Sequence, residues 1–185
     1  LLPYKFKYMK KKTLNVPDGI EHLSEWQELW NTLPSNQHYI LNKRICGCGA
    51  TEAYIRSDKK VILASPRKHL LYNKYSQHLK DNLHLYRFTG DKKKYFESRT
   101  TAPADMLAFN DNLTGYIKNG GSKILTTYDS LRKIMEGMNN IGEDLSQWTV
   151  VVDEFQAIFY DCQYKAVTEY ELCRVLQKFS TVVYL

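Results

Sequence analysis

The feature that most constrains this chain is the run Val150-Val151-Val152, which leads directly into the adjacent carboxylates Asp153 and Glu154. Three consecutive β-branched residues predict a buried strand. Carboxylates at the end of such a strand are costly unless they serve a bound cation or a reaction. Many buried strands end in an acid, so this pattern is only moderately specific. Its meaning depends on whether a phosphate-binding loop lies upstream.

Short apolar strands alternate with helical stretches, which predicts a mainly parallel, doubly wound α/β sheet with helices on both faces. Ligands bind such sheets at the carboxyl ends of the strands. Four loops follow strands, and we expect them to meet at one edge: 44–51, 65–67, 126–128 and 153–156. The predicted strands are 39–41, 61–64, 83–88, 124–126, 148–152 and 181–185, and the predicted helices are 53–55, 67–80, 103–118, 128–138 and 166–178.

Residues 1–36 are predicted to precede this domain as a basic arm and an amphipathic helix, so the α/β domain is assigned to residues 37–185. Asp18-Gly19-Ile20-Glu21 has the pattern of a capping box at the start of the helix. Apolar residues then recur at helical spacing until Pro34 ends the run.

The chain carries a net charge of +6, part of it in the clusters Lys10-Lys11-Lys12 and Lys92-Lys93-Lys94. Such clusters suit a polyanionic partner, although solvated basic loops explain each one equally well. The longest apolar runs are too short to cross a bilayer, so no membrane partner is expected. The four cysteines include no second close pair to complete a zinc site. They indicate reduced thiols in a cytoplasmic protein.

The segment 44–51 lies between a predicted strand and a predicted helix, which is the context of a phosphate-binding loop. Its glycines would let main-chain N–H groups turn inward around phosphate oxygens. Against the pattern G-x-x-x-x-G-K-[ST], however, Arg44 replaces the first glycine and Ala50 replaces the lysine. Lys43 or Arg44 could supply the missing charge, but a plain glycine turn that binds no nucleotide stays open. The candidate phosphate-binding residues are Lys43, Arg44, Gly47, Cys48, Gly49, Ala50 and Thr51.

Four segments in this order resemble the motifs of the first RecA-like domain of superfamily 2 helicases, the DEAD/DEAH-box-like group of P-loop NTPases. The resemblance covers roughly residues 37–185. Within this family, the chain most resembles helicase-like proteins of bacterial mobile elements and phages. The segments are Cys46–Thr51 for motif I, Leu63–Arg67 with Leu70-Leu71 for motif Ia, Leu125–Leu131 for the T-T-Y-x-S-L stretch, and Asp153–Gln156 for motif II.

The resemblance implies a helicase-type ATPase with ATP and Mg²⁺ as cofactors. Thr51 and Asp153 would hold Mg²⁺, Glu154 would polarise the attacking water, and Gln156 would sense the γ-phosphate. Contacts to the backbone of DNA or RNA would come from Ser65, Arg67, Thr126 and Thr127. A helix cap or a turn is the alternative explanation for each of these polar residues. That alternative is weaker for Glu154, since the adjacent Asp153 repels it and a cation is needed to compensate.

The resemblance also implies a second RecA-like domain that supplies an arginine finger, which the chain lacks. We expect that domain in the full protein or in trans, and we expect the chain alone to bind nucleotide with weak hydrolysis or none. Two other interpretations of the chain's function stay open. One is a different P-loop ATPase, such as a phage packaging motor. The other is a nucleotide-dead RecA-like scaffold for nucleic acid or protein, which Ala50 favours and the Asp153-Glu154 pair disfavours.

Overall fold

The computed structural model describes residues 11–42, 47–86 and 113–185, with side chains described except at 161–169. Within these residues, all neighbouring strands of the sheet run parallel. Six strands of the described chain form the sheet: β1 His38–Ile40, β2 Lys60–Ser65, β3 His84–Leu85, β4 Lys123–Thr127, β5 Trp148–Val152 and β6 Thr181–Tyr184. Their spatial order is β1-β6-β5-β2-β4-β3. The strand that precedes the glycine loop is thus separated from the acidic strand β5 by β6.

Helices connect the strands, as parallel strands require. The described helices are α1 Gln27–Thr32, α2 Ala50–Arg56, α3 Lys68–Gln77, α4 at 113–118, α5 Tyr128–Asn140 and α6 Gln156–Leu176, with 3-10 turns at Leu23–Glu25 and Leu145–Gln147.

Both faces of the sheet are covered by helices. All five residues of β4 and of β5 are buried. Val150 and Val152 pack in one apolar cluster with residues of α4, α5 and α6, whereas Val151 packs in another with residues of α1, α2 and α3. Alternate side chains of one strand therefore enter opposite cores, which explains why β5 is apolar throughout. The prediction of a mainly parallel sheet with helices on both faces is confirmed, and the architecture is consistent with a Rossmann- or RecA-like fold.

The predicted amphipathic helix near residue 20 is wrong in its start and in its continuity. Gly19 adopts a left-handed turn, with φ of 85°, and the capping pattern forms later, where Glu25 Oε2 accepts from the main-chain N–H of His22 at 3.2 Å. A 3-10 turn follows. Trp26 then leaves the helical conformation, with φ of −84° and ψ of 77°, before α1 begins. The local turn geometry divides what apolar spacing predicted as one helix.

The last helix also differs from its prediction, since α6 begins at Gln156 and not near residue 166. Its first turn is fastened directly to the end of β5, with the N–H of Ala157 donating to Glu154 O at 2.9 Å. Within the described residues, the strand predicted at 83–88 is limited to β3. The predicted loop at 89–100 and most of the predicted helix at 103–118 lie outside the described residues.

Candidate functional site

The turn that follows β5 is held by main-chain hydrogen bonds to β2 on one side and to the residue directly after β6 on the other. The N–H of Asp153 donates to Ala64 O at 2.9 Å, and the N–H of Phe155 donates to Leu185 O at 3.2 Å. Between these anchors, Glu154 adopts the left-handed conformation, with φ of 57°. A residue other than glycine is disfavoured there by about 1–2 kcal/mol. The acidic turn, residues 153–156, is therefore both strained and firmly held.

The described part of the glycine loop has the two left-handed residues that the sequence anticipates. Gly47 and Gly49 have φ of 74° and 83°, and α2 starts immediately after Gly49. A Cβ at Gly49 would lie 2.9 Å from Ser24 Oγ, so side-chain space is absent as well. The loop is also tied to the 3-10 turn, because the N–H of Leu23 donates to Cys48 O at 2.6 Å. Lys43 and Arg44, the candidate substitutes for the missing lysine, lie outside the described residues.

The two loops meet at Thr51 and Asp153. The Thr51 hydroxyl donates to Asp153 Oδ2 at 3.5 Å, although 102 positions separate the two residues in the chain. A hydroxyl and a carboxylate at this spacing are hard oxygen donors that suit Mg²⁺. Among the described residues, no group of three or more His, Cys, Asp or Glu could enclose a metal ion. A cation held by Thr51 and Asp153 would have to take its other ligands from water or from a bound anion, as Mg²⁺ does with phosphates.

A cleft of about 1040 Å³ opens over this pair. Its volume suits a ligand of cofactor size. Arg56 and Lys74 bring positive charge to its wall, while Glu52 pairs with Arg56 at 2.7 Å. Other lining residues include His22, Ser24 and Glu25 of the 3-10 turn, Gly47–Thr51, Ser65, and Asp153–Gln156.

The loop after β2 reaches the acidic turn through its arginine. Arg67 Nε lies 3.9 Å from Glu154 Oε2, and the Arg67 side chain is 65% exposed. Ser65 is buried, and its hydroxyl accepts from the N–H of Arg67 at 3.5 Å. Gln156 is exposed at the margin of the cleft. Arg67 and Gln156 are thus accessible to a ligand, while Ser65 serves mainly its own turn.

The threonines at the end of β4 are directed inward. Thr126 is fully buried and donates to Thr127 O at 3.2 Å, and Thr127 donates to Ser130 Oγ at 3.2 Å. Both hydroxyls are engaged by residues that follow directly in the chain, and neither threonine lines the cleft. As placed here, Thr126 offers no side-chain surface to a nucleic acid, and its hydrogen bond is that of a local turn.

Tyr128, the first residue of α5, contacts the acidic turn, and the motif comparison did not assign this contact to it. Its hydroxyl donates to the main-chain carbonyl of Asp153 at 2.5 Å. Burial, followed by the negative charges of Asp153 and Glu154, raises the pKa of the Tyr128 phenol. The signal was present in the T-T-Y-x-S-L stretch, but spacing alone does not say which group the tyrosine meets. Arg56 and Lys74 belonged to no motif.

Comparisons of this chain with protein-family models, with curated proteins and with solved structures gave no match. In the described part of the chain, none of the helices has the length and apolar character needed to span a membrane.

Proposed function

We propose that this chain is the nucleotide-binding half of an ATP-dependent helicase or translocase motor, which binds Mg²⁺-ATP in the cleft and the backbone of DNA or RNA beside it. The observation that carries the proposal is the meeting of Thr51 and Asp153 at 3.5 Å beneath the glycine loop. The positive-φ glycines support it, because they free main-chain N–H groups for an anion.

The chemistry follows from the positions of the two carboxylates. Thr51 and Asp153 would share the hydration shell of Mg²⁺, and Glu154 would accept a proton from water that attacks the γ-phosphate. Arg67, 3.9 Å from the Glu154 carboxylate, would orient that base or contact a nucleic-acid phosphate. A second RecA-like domain would close the cleft and complete the stabilisation of the transferred phosphoryl group.

A nucleotide-dead scaffold is the second candidate, and Ala50 is the observation that favours it. The Ala50 methyl is 2% exposed and packs in the apolar cluster on the α1–α3 face of the sheet. It supplies no charge to a triphosphate. Lys74 lines the same cleft, whereas Arg56 is already paired with Glu52, so the motor proposal assigns to Lys74 the positive charge that position 50 lacks.

Calorimetric titration of the purified chain with Mg²⁺-ATP, alongside thermal shift, separates the two candidates. The motor proposal expects saturable binding and a rise in Tm, since a ligand that binds only the native state stabilises it. Asp153→Asn should weaken Mg²⁺-dependent binding by about tenfold or more, which corresponds to the loss of one charged ligand interaction. Asp58→Asn is the matched control, because Asp58 is exposed and lies outside the cleft lining. Absence of binding at millimolar nucleotide, or equal binding by wild type and Asp153→Asn, would overturn the motor proposal.

A further inference from the structure

The peptide that joins Asp153 to Glu154 is held at both ends of its dipole. Its carbonyl accepts from the Tyr128 hydroxyl at 2.5 Å, and its N–H donates to Asp153 Oδ1 at 3.2 Å. Because a peptide group is planar, these two bonds together fix one orientation of the whole unit. That orientation also determines where the side chains of Asp153 and Glu154 leave the backbone.

The tyrosine stands on a rigid base. It is the first residue of α5, directly after β4, and the preceding Thr127 is bonded to the buried Ser130. Leu131, one turn further, is fully buried in the core on the α4–α6 face. The hydroxyl therefore approaches the acidic turn from an anchored element and not from a mobile loop.

The bond has a defined direction. A carbonyl oxygen only accepts, so the phenol must be protonated to donate. The hydrogen bond helps to keep Glu154 in its left-handed conformation. Such a strained backbone persists only where the surrounding contacts hold it in place.

We propose that Tyr128 is a positioning residue for the cation site: its hydroxyl orients the Asp153–Glu154 peptide and thereby holds the Asp153 carboxylate toward Thr51. This inference rests on the proposed function for its ligand, Mg²⁺ with a nucleotide. Tyr128 is not among the residues that line the cleft, so it acts through Asp153.

The test compares Tyr128→Phe with Tyr116→Phe. Tyr116 is a matched control, because its hydroxyl also donates its one proton to a main-chain carbonyl, that of Asn82 at 2.7 Å or that of Lys123 at 2.9 Å, and Tyr116 does not line the cleft. ATP affinity is measured by calorimetry in Mg²⁺ and in EDTA. Tyr128→Phe should weaken binding about fivefold in Mg²⁺, the usual value of one such hydrogen bond, with little change in EDTA. Tyr116→Phe should leave both affinities unchanged.

A second readout needs no ligand. Amide hydrogen exchange at Glu154 and Phe155 should accelerate in Tyr128→Phe and stay at the wild-type rate in Tyr116→Phe. If wild type shows no Mg²⁺-dependent binding, the proposed function fails and this inference fails with it. If wild type binds in an Mg²⁺-dependent way and Tyr128→Phe matches it in both affinity and exchange, the positioning inference alone is overturned.

Discussion

The carboxyl ends of β4 and β5 make an instructive pair, because both strands flank β2 and each end carries two polar residues. Thr126 and Thr127 are the last residues of β4, satisfy their hydroxyls locally and stay buried. After β5, Asp153 and Glu154 are half-buried and line the cleft. Hydroxyls can pair with the nearest backbone or side-chain oxygen, whereas two adjacent carboxylates repel each other and need water or a cation. Polar residues at a strand end indicate a site only when they line a cleft, as Asp153 and Glu154 do and the two threonines do not.

The largest expected effect comes from placing a carboxylate, the group that follows β5, at the buried end of β4. Thr126→Asp would put a carboxylate where the side chain is fully buried, and we expect a loss of about 3 kcal/mol or more in the free energy of unfolding. Asp153→Asn, at a half-buried position, should cost less than about 1 kcal/mol. Urea unfolding measures both.

Thr126→Val is the control for this pair, since it removes the hydroxyl at nearly constant volume and should cost about 1 kcal/mol. Equal destabilisation by Thr126→Asp and Asp153→Asn would show that the two strand ends do not differ in the way their burial indicates.

His84 of β3 has a buried ring nitrogen that pairs with no described residue, and His84 does not line the cleft. Its ring stacks on Tyr116 with centroids 5.0 Å apart, and Nε2 has no hydrogen-bond partner among the described residues. Burial lowers the pKa of His84 from 6.5 to about 4. Between these values the unfolded chain binds a proton that the folded chain excludes. Stability is therefore complete above about pH 6.5 and should fall as the pH drops toward 4, by at most about 1.4 kcal/mol per pH unit.

Urea unfolding at several pH values from 7 to 4 measures this slope, and His84→Phe provides the comparison. The variant keeps the stacking surface but has no titrating nitrogen, so its slope over this range should be smaller than that of wild type. Carboxylates contribute the same background to both proteins. Identical slopes would mean that His84 is protonated in the folded protein without cost.

The smallest expected effect concerns backbone strain in the acidic turn. Glu154→Gly and Glu154→Ala both remove the carboxylate, but only glycine accepts a φ of 57° freely. We expect the glycine variant to be more stable than the alanine variant by about 1 kcal/mol. Denaturant unfolding of the two variants gives this difference directly. A more stable alanine variant would argue against a left-handed conformation at this position in solution.

The sequence was a good guide to the elements of the sheet and a poorer guide to their flanks. The apolar runs predicted β5 and β6, because burial on both faces demands such residues. The alternation of strands with helices predicted the parallel arrangement. The start of α6 at Gln156 was missed, since its first turns expose Phe159 and Tyr160, at 68% and 79%, and thus lack a regular apolar stripe. The division of the N-terminal helix was missed because it depends on single backbone angles at Gly19 and Trp26.

For the candidate site, the sequence indicated which residues take part, and the tertiary structure determined which of them contact one another. Two glycines before a helix and two acids after a buried strand were legible in the chain, because local backbone freedom and charge depend on residue type. That Thr51 reaches Asp153, that Tyr128 bonds the Asp153 carbonyl, and that Thr126 turns inward all depend on strand order and register. Those follow from how the whole sheet packs between its two layers of helices, and no segment of the sequence carries that information alone.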